Sequence, residues 1–423
     1  MSLPKSVFAA LLGASVAVPA QAQYGAQSAP PEQLPAANPK ATARPGAKAG
    51  ERKFDISAGA RPAIIALQVA VTAKDVANIP AKLAAARALA KTTDDKFIIA
   101  QLQLQAATDP IAQMAAFEAM AASGGVSGGD QATLYLNVAK LAYNAKQDAK
   151  ALEALQRVAQ LDPSNQEAAI LTAQVDDRIG KPADALVALQ KAIALKTAAG
   201  QKPEEAWYKR AWSIAYQNKL PSAFQLTRDW VAAYPSAQNW HDSLAVYLNN
   251  SGLDDSALID IFRLEQTNGT FGNSSEYYRF ANSLLAHGQS GEAKLMLDQA
   301  IAAGKIDKTS AAIREVYGLA SSKSAGDRAS LAASTKTAMA ASTARGAVGV
   351  GDAYLGYGDY AKAIDLYRAA LTKSGGDANL INLHLGMALG KSGDKAGAAS
   401  ALAKVAGSQA EIAKYWTLYF AQH

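Results

Sequence analysis

Val350-Gly-Asp-Ala-Tyr-Leu-Gly-Tyr-Gly-Asp-Tyr-Ala-Lys-Ala-Ile-Asp-Leu-Tyr-Arg-Ala-Ala-Leu371 reads as two helical stretches with a turn between them. Gly358 has the backbone freedom to end the first stretch in a left-handed turn. The second stretch opens around Ala363, and Tyr367 lies one helical turn further along the same face. Gly351 stands twelve residues before Ala363, and its small size lets the two helix backbones approach.

The same positions recur outward from this unit. The opening alanine reappears at Ala151, Ala185, Ala223, Ala257, Ala293, Ala329, Ala363 and Ala398, at spacings of 34, 38, 34, 36, 36, 34 and 35. A fixed period of this length is the signature of a repeat architecture. Five residues before each alanine stand Lys146, Gly180, Asn218, Gly252, Gly288, Ser324, Gly358 and Gly393, so each unit is expected to turn there. Twelve residues before each stand Ala139, Ala173, Ala211, Ala245, Ala281, Tyr317, Gly351 and Gly386, all small except Tyr317. Four residues after each come Leu155, Leu189, Thr227, Ile261, Leu297, Ala333, Tyr367 and Leu402, which are mostly large. The unit around Ala329 fits worst, with Tyr317 in the small position and Ala333 in the large one.

This pattern resembles the tetratricopeptide repeat. Gly351, Tyr354, Gly358, Tyr360, Ala363, Tyr367 and Ala370 all match the family pattern, and the resemblance covers about residues 130–405. It implies an all-α solenoid, a right-handed superhelix of stacked helical hairpins. About eight to ten hairpins are expected. Residues 94–122 read as one degenerate unit, 57–91 as a further helical pair, and the tail 406–423 as a capping helix with an amphipathic core at Ile412–Phe420. A single hairpin of about 34 residues has too little apolar surface to fold alone, so stacking is what buries it.

Composition agrees. Half of the 423 residues are hydrophobic and 18% are charged, enough apolar material for a continuous core. The net charge of +6 is spread over 42 basic and 36 acidic residues with no long run of either sign, which argues against nucleic acid as a partner. The chain has no cysteine, which excludes disulfides, thiolate metal sites and cysteine nucleophiles.

The N-terminus carries an address. Lys5 precedes the apolar stretch Val7–Val18, and Pro19-Ala-Gln-Ala-Gln23 follows. Residues 1–22 read as a secretory signal peptide with cleavage after Ala22. Its alanine-rich style and Gln-Ala-Gln junction resemble Gram-negative secretory proteins, which implies a periplasmic location. No transmembrane segment is expected once the signal is removed. Residues 23–56 hold Pro30, Pro31, Pro35, Pro39 and Pro45 among Ala, Gln and Gly, a composition that suits a disordered tether and not a core.

No constellation points to catalysis. His241, His287, His384 and His423 stand at no metal-ligand spacing, and each reads as a satisfied or solvated side chain. The carboxylate pairs Asp94-Asp95, Asp176-Asp177 and Asp254-Asp255 read as solvated surface or helix caps. Gly386-Met-Ala-Leu-Gly-Lys-Ser392 has three residues between its glycines where a phosphate-binding loop needs four, and it falls within a helix. No catalytic residue, metal or cofactor is expected.

In the family resembled, ligands lie along the inner face of the first helices. Helical phase places Tyr208, Trp212 and Tyr216 there in one stripe, followed by Asp242, Asn249 and Asn250 and then by Tyr278 and Asn282. Lys140, Tyr143 and Asn144, then Gln174, Asp177 and Arg178, precede them on the same face. Aromatic rings with asparagine amides suit an extended peptide or a sugar chain, while the alternative is that the rings pack against a neighbouring helix. The expectation is a non-catalytic, exported scaffold that binds a protein or peptide in its groove. The second reading is an envelope-associated domain that binds glycan or assists its export.

Overall fold

The computed structural model describes residues 54–250, 252 and 254–423, with Asn250 described by its backbone alone. The expected export signal over 1–22, its cleavage after Ala22 and the Pro/Ala-rich stretch up to residue 53 lie outside the described residues. Phe54–Ile56, the end of that expected tether, are held in place. The Phe54 ring stacks on Phe97 at 6.0 Å, and Asp55 N–H donates to Asp94 at 2.8 Å.

Among the described residues the regular structure is helical. The helices pair as α1 (Arg61–Thr72) with α2 (Ile79–Leu89), α3 (Thr93–Ala106) with α4 (Pro110–Ala122), α5 (Gly128–Asn144) with α6 (Asp148–Leu161), and α7 (Gln166–Arg178) with α8 (Pro182–Ala198). Next come α9 (Glu205–Gln217) with α10 (Ala223–Ala233), α11 (Ala237–Asn250) with α12 (Asp255–Asn268), and α13 (Ser274–Ala286) with α14 (Ser290–Ala302). A long helix α15 (Ala311–Ala340) leads to α16 (Ala344–Gly356) with α17 (Tyr360–Leu371), α18 (Ala378–Lys391) with α19 (Lys395–Leu402), and a last helix α20 (Ala410–Gln422). The chain is an all-α solenoid.

Local chemistry sets the helix ends. Thr92 caps α3 through a reciprocal box with Asp95, and Asp109, Ser127, Asn165, Asp254 and Asp377 each accept a backbone N–H at their own helix start. At the turns, Gly180, Gly252, Gly288, Gly358 and Gly393 all have φ between 60° and 95°, the left-handed region that glycine enters without strain. Lys146 takes the same conformation in its unit, with φ 58°. In the unit before Ala223 the left-handed residue is Lys219, with φ 53°, and not Asn218. Asn218 instead uses its Nδ2 to cap the carbonyl of Ile214 at 2.8 Å.

The expected turn at Ser324 is absent, because α15 runs unbroken from Ala311 to Ala340. Ser324 bonds back to Ser321 O within the helix, and no glycine stands at the position that would have to turn left-handed. Alanine-rich helix propensity wins where the turn residue is missing.

The small and large positions meet as their spacing requires. A Cβ on Gly351 would come within 2.8 Å of the Tyr367 ring, and one on Gly386 within 2.6 Å of Leu402. The first helix of each of these units therefore touches its second helix through hydrogen alone.

The second half departs from neighbour-on-neighbour stacking. The early core clusters are local, one spanning Met114–Val175 and the next Ala169–Leu226. A later cluster runs from Val231 to Phe420 and joins α10, α11 and α12 to α16 through α20. Here α20 packs on α10 and α12, and α16 packs on α14. The expected capping helix is thus more than an end cap: its Tyr415 and Trp416 are fully buried against helices some 150 to 190 residues earlier in the chain.

Replacing Gly351 by alanine tests this packing. Helix propensity alone would reward the change by about 1 kcal/mol. Overpacking against a fully buried Tyr367 is expected to outweigh that, giving a net loss of about 1–3 kcal/mol in chemical denaturation.

Candidate partner-binding face

The first helices of the early units are laced together across repeat boundaries. Lys140 Nζ on α5 meets Glu167 on α7 at 2.6 Å, and Arg210 on α9 pairs with Asp177 on α7. Arg178 donates from Nε to Asp148 at 2.8 Å while its guanidinium lies 3.8 Å above the Tyr143 ring. These half-exposed pairs are worth little each, of order 0.2–1 kcal/mol, but they leave several of the charges on α5 and α7 already matched.

On α9 the stripe is real and half-buried. Trp212 stacks on Tyr216 at 5.6 Å and on Trp230 of α10 at 6.3 Å, and its Nε1 has no hydrogen-bond partner. Tyr208 meets Tyr234 edge-on at 6.0 Å. Trp230 in turn donates to Glu205 at 2.9 Å, and Asn239 Nδ2 donates to the same oxygen at 3.0 Å. Burial alone would raise the Glu205 carboxyl, but the bonds from Trp230, Asn239 and Lys209 hold it below its ordinary value. Lys209 lies 5.3 Å over the Trp230 ring and Lys202 lies 3.8 Å over Tyr234. The rings are therefore partly core: Trp212 packs on Trp230 of α10 and Tyr208 on Tyr234, and all three rings stay half-exposed.

The remaining expected residues divide. Asp242 is half-buried and accepts from Gln238 at 2.8 Å, Asn249 is exposed, and Asn250 is the last residue of α11. Tyr278 packs against the α12–α15 core cluster, whereas Trp212 packs against the α7–α10 cluster. Asn282 Nδ2 donates to Tyr278 O at 3.0 Å, which ties that amide to its own helix.

Sequence reasoning passed over the polar cluster that closes the second half. On α12, Asp260 and Arg263 are 0% and 2% exposed. Arg263 donates to Glu292 of α14 at 2.9 and 2.7 Å and to Asp260 at 3.0 Å. His384 of α18 stands between two carboxylates, with Nδ1 2.7 Å from Asp352 of α16 and Nε2 3.2 Å from Asp260. Tyr367 O–H donates to Asp352 at 2.7 Å, and Trp416 Nε1 donates to the carbonyl of Asp260 at 3.2 Å. The Tyr415 hydroxyl lies 2.8 Å from Thr227 Oγ1 and 3.0 Å from Ser243 Oγ. Asp352 occupies the register of its helix that Trp212 occupies on α9, one residue beyond the small position, and Lys391 matches Tyr216 in the same way. The face that stays half-open on α9 is thus closed at Asp352 of α16, against His384 and α12, while Lys391 of α18 stays half-exposed beside Trp416 of α20. In the structure α12 buries Ile259 through Glu265 without a break and α18 buries Ile381 through Leu389, so neither helix has a normal solvent face. The sequence signalled this for α18, whose Ile381–Leu389 run is mostly apolar all round, but not for α12, whose charged residues read as an exposed side.

The other titratable residues sort as follows. Asp95 is buried, not solvated; burial would raise it, but bonds from Ser57, Lys91 and Thr92 hold it well below the carboxylate range. Asp176 is likewise buried and is pushed up by that burial. His287 is exposed, with Nδ1 2.9 Å from Ser283 O. Glu265 is 1% exposed with one oxygen unpartnered, and burial pushes it up to about 8. No group of three or more potential metal ligands occurs among the described residues, and none of their helices is long and apolar enough to cross a membrane.

The fold and its faces define a helical-hairpin repeat protein. No family model matches the chain, and no curated protein matches it. Among solved structures, a tetratricopeptide repeat protein from Parabacteroides merdae aligns with 68% of this chain and 98% of its own, at 12% identity and a TM-score of 0.25. Pseudomonas aeruginosa pilF aligns with 70% of this chain and 99% of its own, at 12% identity and 0.20. The human IFIT1 dimer with PPP-AAAA aligns over 66% and 72%, at 13% identity and 0.21. Identities and scores this low carry nothing about partner or activity.

Glu265 gives a measurable consequence. A buried acid whose folded value is raised binds its proton more tightly when folded, so its cost to stability grows as pH rises from the ordinary carboxylate range to about 8. Glu265→Gln is expected to raise the melting temperature at pH 8 by an amount worth more than about 1 kcal/mol, with a much smaller change at pH 4.5.

Proposed function

We propose that this chain is an exported scaffold that binds a protein or peptide partner along its first helices and catalyses no reaction. The observation that carries the reading is the aromatic stripe of α9, Tyr208, Trp212 and Tyr216, half-exposed on the register that α16 closes at Asp352. Rings fixed on one side by stacking lose little entropy when a partner covers the other, which is why such residues dominate binding energy. The ion pairs on α5 and α7 leave shape, stacking and hydrogen bonding to do the recognition. The segment 1–22 supports a location outside the cytoplasm, in the periplasm of a Gram-negative cell.

The test is a cross-linking pull-down from native cell envelope, followed by binding of the recovered partner to purified protein. A variant combining Tyr208→Ala, Trp212→Leu and Asn249→Ala is expected to weaken that partner about 30-fold or more with an unchanged circular dichroism spectrum, the loss of a hot spot worth about 2 kcal/mol. Undiminished affinity in that variant would refute the site. A glycan-array signal lost with Trp212→Leu would move the reading to sugar, and turnover of a substrate by purified protein would remove the scaffold reading altogether.

A further inference from the structure

His384 has a carboxylate oxygen at each ring nitrogen, Asp352 at 2.7 Å from Nδ1 and Asp260 at 3.2 Å from Nε2. A neutral imidazole carries one N–H, so it would turn a lone pair toward one of these carboxylates. Only the imidazolium satisfies both. Asp352 is a poor source of the missing proton: burial would raise its carboxyl, but His384, Arg263 and the bond from the Tyr367 hydroxyl hold it below its ordinary value.

The groups around the ring give the same answer. Facing it are Asp260 and Arg263 on α12, Glu292 on α14, Asp352 on α16 and Tyr367 on α17, with Lys391 about two turns on along α18 itself. Three carboxyl groups stand against Arg263, Lys391 and His384, and the charges balance with the ring protonated. Burial lowers the affinity of the ring for its second proton, yet Asp260 and Asp352 outweigh burial and hold it at about 10. The Lys391 ammonium, 5.7 Å over the Trp416 ring, is pulled down to about 8 by burial.

One of these contacts joins distant parts of the chain. Asp260 lies 124 residues before His384, and with Arg263 it belongs to the middle repeats, while Asp352, Tyr367 and His384 belong to the late ones. When the two parts separate, the imidazole loses the Asp260 carboxylate and part of its burial while keeping Asp352. We propose that the late repeats α16–α20 form a proton-dependent latch on α12: closing the latch requires an imidazolium at His384, and raising the pH opens it while the early repeats stay folded.

The sign follows from linkage. A histidine held above its ordinary value stabilises the closed form fully below about 6.5, and that contribution is lost as pH rises toward about 10. Between about 6.5 and 8 each pH unit shifts the opening equilibrium by up to about tenfold, one proton being taken up on closing; above about 8 the depressed Lys391 gives up a proton on closing and offsets the histidine. Opening bares Asp352, His384, Tyr415 and Trp416, an acidic and aromatic face.

Hydrogen exchange on the tag-free full chain between pH 6 and pH 9, corrected for the intrinsic rate, tests this. Peptides covering α12 and α18–α20 are expected to lose protection by up to about tenfold per pH unit between 6.5 and about 8, with a shallower slope above that and α5–α9 unchanged. In His384→Gln that dependence should vanish. If the variant fails to fold, nitrogen-15 spectra of histidine-labelled wild type decide: one of the four imidazoles should remain doubly protonated at pH 8. Neutral rings at all four positions at pH 8, protection in α18–α20 that ignores pH, or a loss of protection spread evenly over the chain would each overturn the latch.

Discussion

A helix that is buried on every side through its middle and carries Asp260 and Arg263 there depends on other parts of the chain to bring matching charge to it. Leaving either group buried and unmatched would cost about 3–5 kcal/mol, a large part of the stability of a typical domain. Glu292 supplies the match from the next hairpin, and His384 supplies it from 124 residues away. This requirement turns a repeat array, which could have stacked outward indefinitely, back on its own middle. The unbroken helix α15 provides the span over which the return is made.

The ion cluster does not by itself hold the two parts together. Burying such groups costs roughly what their attraction returns. The net stabilisation comes from the apolar residues around them, Trp240, Trp416, Tyr367, Tyr415, Ile261 and Leu264, all at most 1% exposed. Each such side chain contributes on the order of 1.5–3 kcal/mol when fully buried. The charges contribute register: a shift of α12 by one residue would carry Asp260 and Arg263 away from His384 and Glu292. Adhesion and alignment are thus separate jobs done by neighbouring atoms.

Much of this was legible in the sequence because repeats are local. The loop glycines, the small residue twelve positions before Ala363 and the large one four after it answer to contacts within one hairpin, and the structure sets Gly351 against Tyr367 accordingly. The stripe on α9 was legible for the same reason, since Tyr208, Trp212 and Tyr216 share a helix; packing against a neighbouring helix was weighed as the alternative to a binding face, and Trp212 does stack on Trp230. Local rules misled where a turn had to be inferred from period alone. Nothing but spacing marked Ser324, and the helix continued through it. The late repeats folding onto α12 were out of reach, because period and phase describe neighbours and no local pattern couples Asp260 to His384. What the sequence did carry was the absence of a solvent face on α18, which asks for a further partner without naming it; the charges of α12 read instead as a solvated side.

The coupling between Asp260 and His384 is the most direct measure of whether the chain closes on itself in this way. A double-mutant cycle with Asp260→Asn and His384→Gln, followed by chemical denaturation at pH 7, reads that coupling alone. The closed arrangement predicts an interaction energy of more than about 1 kcal/mol between these two residues. Effects that simply add, as they do for sites far apart, would contradict it.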